Sequence, residues 1–167
     1  MVSALFVGRF QPFHLGHKKA IKYILKKEDR LILGIGSCEA SNTLENPFTA
    51  SERRRMIESS LGVFKDRVSV ILVPDINYDS RWVSHVVSLA PQFDVVYTSS
   101  EREKRLFLRA GFKVRDIPLF KRNVYSATNV RERMIEGDDW RKRLPIESVR
   151  VVEEVGGVER IRKLTRA

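Results

Sequence analysis

The sequence predicts an α/β chain: a doubly wound, parallel five-stranded sheet with helices on both faces and a short helical C-terminal region. Two observations predict it. Short apolar runs alternate with segments whose apolar residues recur at helical spacing, a pattern that builds a parallel sheet between helical layers. After about residue 120 the strand signals stop, and the helical pattern runs to the end.

The elements follow in order. Residues 2–8 (VSALFVG) read as a buried strand. Residues 15–27 read as a helix, with Ala20, Ile21, Ile24 and Leu25 on one face and Lys18, Lys19, Lys22 and Lys26 off it. Residues 30–36 (RLILGIG) form a second strand, and a polar loop runs from Ser37 to Phe48. Thr49-Ala50-Ser51-Glu52 is a capping-box sequence that opens a helix reaching about Leu61. A third strand, 68–73, is stopped by Pro74; a helix over 81–89, a strand over 94–98, a helix over 101–110 and a last strand over 112–117 complete the alternation. Beyond Ser126 the helical pattern breaks near Gly137, Pro145 and Gly156-Gly157. This is a Rossmann-like arrangement, in which ligands bind beyond the carboxyl ends of the strands near the point where strand order reverses.

Length and composition set bounds. The 167 residues suit one domain, 1–167, divided into an α/β core (1–120) and a helical C-terminal region (121–167). The 43% hydrophobic content supports a core, and no apolar run approaches the roughly 20 residues of a membrane span. The start of the chain lacks a signal-peptide pattern, so a soluble cytoplasmic protein with no membrane partner is expected. The single cysteine, Cys38, excludes an internal disulfide and a Cys-rich metal site. The net charge of +10 attracts anions, whether nucleotides, pyrophosphate or nucleic acid. The basic runs at 53–55, 141–143 and 160–163 lack interleaved aromatic residues, so they read as solvated helix faces and no nucleic-acid partner is expected.

Two segments carry chemistry. The first strand–helix junction reads Gly8-Arg9-Phe10-Gln11-Pro12-Phe13-His14-Leu15-Gly16-His17. It has neither GxGxxG spacing nor a Walker loop; it places His-x-Gly-His at a helix start. Free backbone N–H groups and the helix dipole there favour an anion. Gly16 removes a side chain where backbone and ligand come close, His14 and His17 add imidazole donors, and Arg9 adds a guanidinium fork. The second segment is Ser126-Ala127-Thr128-Asn129-Val130-Arg131. Ser126 reads equally as a helix cap and as a phosphate ligand; with Thr128 and Arg131 in the first turns, hydroxyls, amides and a guanidinium converge on one helix end.

His-x-Gly-His followed by Ser-x-Thr-x-x-Arg resembles the nucleotidylyltransferase superfamily. The longer strings GRFQPFHLGH, ENPFTASER and YSATNVRERM resemble archaeal-type nicotinamide mononucleotide adenylyltransferases from about Leu5 to Leu164. The resemblance implies an adenylyl transfer from ATP to nicotinamide mononucleotide by direct displacement, with NAD and pyrophosphate as products. It implies that His14, His17, Arg131 and Arg9 are catalytic and that Gly8, Phe10, Gly16, Ser126 and Thr128 complete the ATP-phosphate site. It implies an acceptor site at Asp75, Asp79 and Trp82, with Trp82 stacking on the nicotinamide ring; by spacing alone Trp82 also fits a core position with Val86 and Leu89. Gly36 and Ser37, which close the second strand with Gly34, read either as a close approach of ligand to that site or as room for a crossing helix. Mg²⁺ arrives with ATP, since no carboxylates cluster at ligand spacing. A homo-oligomer, commonly a hexamer in such relatives, is implied by resemblance only. The chain departs from the pattern at Asp79, where relatives carry asparagine, at Ser99-Ser100-Glu101 in place of Gly-Asn-Pro, and at Asn42 in place of histidine. A carboxylate at Asp79 accepts from a carboxamide NH₂ and repels a nicotinate, which favours nicotinamide. The open alternatives are another phosphorylated acceptor within the superfamily, such as phosphopantetheine, and a basic nucleic-acid binder.

Overall fold

The computed structural model describes residues 1–167. Its elements are β1 (Ser3–Gly8), α1 (Leu15–Leu25), β2 (Arg30–Gly36), α2 (Ala50–Ser60), a 3₁₀ turn (Gly62–Arg67), β3 (Val68–Val73), α3 (Asp79–Leu89), β4 (Val95–Thr98), α4 (Glu101–Arg109), β5 (Lys113–Asp116), α5 (Arg122–Tyr125), α6 (Ala127–Glu136), a second 3₁₀ turn (Trp140–Arg143), α7 (Ile146–Glu154) and α8 (Gly157–Arg166). The sheet has five strands in the order β3-β2-β1-β4-β5, and every pairing is parallel.

Alternation along the strands divides the core. Ala4 and Phe6 of β1, with Leu31, Leu33 and Ile35 of β2, face the layer that holds α1, α2 and the C-terminal helices. Leu5 and Ile32 face the other way, onto Trp82 and Val86 of α3 and Phe107 of α4. A strand buried on both sides reads as a continuous apolar run, which is why β1 and β2 are legible in the sequence. The C-terminal helices join the first layer: Val149, Val151 and Val152 of α7 and Ile161 of α8 share its core. Arg160 of α8 donates to Glu52 and to the Pro47 carbonyl, tying α8 to the start of α2.

The chain runs β1 to β2 to β3 in one direction, then returns to place β4 on the other side of β1. The strand order therefore reverses at β1 and β4, and their carboxyl ends open a crevice. No helix is long and apolar enough to cross a membrane.

The basic run at 53–55 requires a correction. Arg54 and Arg55 are surface residues paired with Glu58 and Glu154, but Arg53 is 0% exposed. It lies on the buried stripe of α2 with Met56, Ile57 and Ser60. The run at 160–163 is likewise not wholly solvated, since Arg160 is paired and Ile161 is core.

Candidate active site

The β1–α1 junction is held by side chains that bond to backbone. Phe10 has a positive φ of 54°, uncommon for a bulky residue, and its ring lies over Gly8, where a Cβ would stand 3.0 Å from Phe10 Cζ. The buried Gln11 side chain donates to the Phe48 carbonyl and accepts from the Phe48 N–H, both at 2.9 Å. These two bonds clamp the junction to the segment before α2.

His14 is the N-cap of α1. Its Nδ1 accepts from the His17 N–H at 3.3 Å, and His17 Nδ1 accepts from the His14 N–H at 3.1 Å. The pair forms a reciprocal capping box, a task that Ser or Thr with Glu usually performs. With each Nδ1 an acceptor, each neutral ring carries its proton on Nε2. The rings stack with centroids 3.6 Å apart, and Phe13 stacks beyond His17. Burial lowers the His14 pKa to about 3; burial and the neighbouring His14 hold His17 well below the usual imidazole range. Both rings border the crevice, and the cap leaves each Nε2–H unengaged.

Those depressed values fix a sign. In the unfolded chain both imidazoles protonate near a pKa of about 6.5, whereas in the fold they stay neutral to much lower pH. Between those limits the unfolded state binds more protons, so the histidine contribution to stability is full above about pH 7 and is lost as pH falls from about 6.5 towards 3. Urea unfolding at pH 7.5, 6 and 5 is expected to show the wild-type midpoint falling more steeply than that of a His14→Asn/His17→Asn double variant. Parallel curves for the two proteins would contradict the assignment of neutral, buried imidazoles.

The second segment, from Ser126, starts α6. Ser126 is its N-cap, accepting from the Asn129 N–H at 3.1 Å. Arg131 donates to the Gln11 carbonyl at 2.9 Å, which brings α6 onto the β1–α1 junction, and its other arm reaches Thr128 Oγ1 at 3.5 Å. Burial, and then Arg9, lower the pKa of its guanidinium, which still remains charged. Gly8, Arg9, Phe10, His14, Gly16, His17, Ser126, Thr128 and Arg131 all border one cleft of about 530 Å³. Two helix N-termini, α1 and α6, thus meet at one space. Arg122, Ser99 and Ser100 border the same cleft, whereas Arg133 turns to Asp138 and Asp139.

A second cleft, of about 430 Å³, lies on the other side of Gly8 and Arg9. Gly36, Ser37, Asp75 and Trp82 border it, and Asp79 does not. Asp79 stands exposed in the first turn of α3, paired with Arg102, and it is Arg102 that reaches the cleft. Trp82 is 5% exposed, packed in the α3 core, with its indole N–H buried and unpartnered. It serves the core and also forms part of the cleft wall. Glu103 borders both clefts, accepts from the Thr98 hydroxyl at 2.9 Å, and has its carboxyl pKa raised by burial.

Arg53 is the residue that sequence reasoning placed on the surface. Its guanidinium donates to the carbonyls of Arg9, Gly36, Ser37, Ala40 and Thr49 at 2.9–3.3 Å. One side chain therefore holds the backbone that ends β1 and the backbone that ends β2, including Ser37 at φ 46°.

No group of three or more His, Cys, Asp or Glu side chains could hold a metal ion. Glu103 is the one carboxylate on the larger cleft's wall. The walls offer donors for anionic oxygens rather than a cage for a cation.

The sequence profile of the cytidylyltransferase-like family matches residues 5–133. The nicotinamide-nucleotide adenylyltransferase of Archaeoglobus fulgidus is 46% identical, over 98% of each chain. That of Thermoplasma volcanium is also 46% identical, over 97% of this chain and 92% of its own. Among solved structures, a bifunctional NMN adenylyltransferase/ADP ribose pyrophosphatase from Francisella tularensis matches 86% of the chain with a TM-score of 0.73 at 26% identity. The chain spans 44% of that longer protein's length. A structure of the Francisella enzyme complexed with AMP and a Mn ion matches with a TM-score of 0.70 at 27% identity.

Proposed function

The chain belongs to the cytidylyltransferase-like family, and from that premise we propose that it transfers the adenylyl group of ATP to nicotinamide mononucleotide, forming NAD and pyrophosphate. The observation that carries the reading is the pair of clefts meeting at Gly8 and Arg9, one walled by the N-termini of α1 and α6 and the other by Trp82 and Asp75.

A phosphate oxygen of the acceptor attacks the α-phosphorus of ATP. A new P–O bond forms, the bond from the α-phosphorus to the bridging oxygen breaks, and pyrophosphate leaves with that electron pair. No protein nucleophile or base is needed, so catalysis consists of alignment and of donors aimed at the developing charge. His14 and His17 direct their Nε2–H groups at the α- and β-phosphates. Ser126, Thr128 and Arg131 hold the β- and γ-phosphates, and Arg9, on both walls, bridges the two substrates. Gly36, Ser37 and Asp75 receive the acceptor, and Trp82 borders the same cleft. Mg²⁺ enters as part of the ATP complex, bound by phosphate oxygens. The enzyme works in the cytoplasm, as a homo-oligomer.

The test is direct. Protein, ATP and Mg²⁺ are incubated separately with nicotinamide mononucleotide and phosphopantetheine, and pyrophosphate and dinucleotide are measured. NAD formed in step with pyrophosphate supports the reading; pyrophosphate formed only with phosphopantetheine refutes the acceptor, and no turnover refutes the activity.

Gly16 supplies a sharper check. A Cβ there would stand 2.9 Å from His14 Cε1 and 3.0 Å from Tyr125 Cβ. Gly16→Ala is therefore expected to displace the His14 ring and lower kcat by about tenfold to a hundredfold, since misplacement of about 1 Å is enough for that. Circular dichroism should remain that of a folded protein. Unchanged kcat would show that the His14 position is not critical.

A further inference from the structure

A carboxylate stands among the arginines and histidines of the larger cleft, where Glu103 is the one acidic side chain on the wall. It repels phosphate, and the transfer of an adenylyl group as described gives it no task. The local sequence asks for a different arrangement. Ser100-Glu101-Arg102-Glu103 has capping-box spacing, in which the glutamate reaches back to the N–H of the cap residue. Ser100 does cap α4, accepting from the Glu103 N–H at 3.3 Å. The return bond is diverted: the Ser100 N–H donates to Thr98 Oγ1 at 3.0 Å, and the Thr98 hydroxyl donates to Glu103 Oε2 at 2.9 Å. The buried Thr98 thus stands between the cap and the carboxylate and holds the carboxylate at the cleft. Only Oε2 is engaged in this way, and Arg102, the cation beside Glu103, is taken by Asp79.

An ionised carboxylate is an acceptor only, so its partner in a ligand is a hydroxyl or an N–H group. Topology says which. In the sheet β4 lies between β1 and β5, and Ser99, Ser100 and Glu103 follow the carboxyl end of β4. On the β1 side the cleft is walled by His14 and His17; on the β5 side Ile117, Pro118 and Phe120 give it an apolar wall that suits the face of a purine. In a nucleoside triphosphate the ribose joins the phosphates to the base. With the phosphates on the β1 side and the base on the β5 side, the ribose comes to the end of β4, beside Glu103. Dinucleotide-binding sheets use an acidic side chain for the same purpose, accepting from a ribose hydroxyl.

We propose that Glu103 is a specificity-determining residue that accepts a hydrogen bond from the ribose hydroxyls of ATP, and so selects a ribonucleoside triphosphate over its deoxy counterparts. The proposal rests on the adenylyltransferase reading and assigns the recognition of the sugar within it. The free oxygen is charged and partly withdrawn from water, so a nucleotide that lacks the hydroxyl leaves it without a donor.

The experiment measures kcat/KM for ATP, 2′-deoxyATP and 3′-deoxyATP, at saturating nicotinamide mononucleotide and Mg²⁺, in the wild type, Glu103→Gln and Glu103→Leu, with thermal denaturation to check folding. The wild type should prefer ATP to at least one of the deoxynucleotides by about tenfold to a hundredfold, the range of a hydrogen bond to a charged group. Glu103→Leu should erase that preference by lowering kcat/KM for ATP while leaving the disfavoured deoxynucleotide little changed. Glu103→Gln keeps an acceptor oxygen without the charge and should fall between the two. Equal use of all three nucleotides by the wild type would overturn the proposal. So would variants that lower all three in proportion, since a side chain that only supports Thr98 does not touch the ratio. A rise confined to the KM for nicotinamide mononucleotide would overturn it as well, by placing Glu103 at the acceptor. Each of these outcomes leaves the adenylyltransferase reading standing, whereas absence of wild-type turnover with any of the three nucleotides would overturn both.

Discussion

Replacing His17 with asparagine is expected to lower kcat by about 10²–10³-fold, the loss typical when one preorganised donor to a developing oxyanion is removed. Asparagine separates two roles that alanine would mix. In the structure His17 Nδ1 caps α1 by accepting from the His14 N–H, and Nε2 is the donor left for the cleft. The Asn Oδ1 can take the place of Nδ1, so the cap persists while the donor to the phosphate is lost. His17→Ala loses both, together with the stacking against His14 and Phe13. It should match the asparagine variant in kcat and fall below it in melting temperature. Steady-state assays and thermal melts on the two variants decide the matter. A kcat within about threefold of wild type in His17→Asn would mean that the imidazole is only a cap.

The histidines mark where sequence reasoning succeeds and where it stops. His-x-Gly-His was legible at a strand–helix junction, and the structure places both histidines on a cleft wall. Reciprocal capping was not, because imidazoles seldom take the places that Ser or Thr and Glu usually fill. The capping box Thr49–Glu52 was legible for the opposite reason, and the structure forms it. The central strands β1, β2 and β4 were readable from apolar runs, since local composition reports burial on both faces, whereas the edge strands β3 and β5 are only partly buried. The turn at 62–67 and the short helix α5 were not, because each is too brief to carry a period. The pairing of Asp79 with Arg102 joins residues on successive helices across β4, and no local pattern records a contact of that range. Asp79 was therefore read as a wall of the acceptor site when it supports the wall from behind. Arg53 is a different case, because a signal existed. It occupies the same helical stripe as Met56 and Ile57, three and four residues on, so periodicity places it inward; the run of three arginines drew the reading outward.

Arg53→Met is expected to destabilise the protein by about 3–5 kcal/mol, because it leaves several buried carbonyls without a donor at once. The cost arises from what stays behind. Methionine fills much of the volume, but the carbonyls of Arg9, Gly36, Ser37, Ala40 and Thr49 lose their shared donor inside the protein. Each orphaned group costs roughly 1–3 kcal/mol unless water reaches it, and the segments at Ser37 and Ala40 are open enough to rearrange and limit the sum. Burial also lowers the Arg53 pKa, so desolvation opposes this site, and the hydrogen bonds to five carbonyls act against it. Urea unfolding measures the stability loss, which corresponds to a melting temperature lower by about 10 °C. The effect on function should be distinctive, because the carbonyls belong to the ends of both β1 and β2 and so to both clefts. KM should rise for ATP and for the acceptor mononucleotide together, whereas a defect confined to one cleft would raise only one. Arg53→Lys keeps the charge, but one ammonium cannot span five carbonyls, so it should fall between wild type and methionine in both readouts. A loss below about 1 kcal/mol in Arg53→Met, with both KM values unchanged, would mean that these loop ends hold their shape without the guanidinium. The expected result instead makes a buried cation that borders neither cleft the part that fixes the spacing between the two substrates.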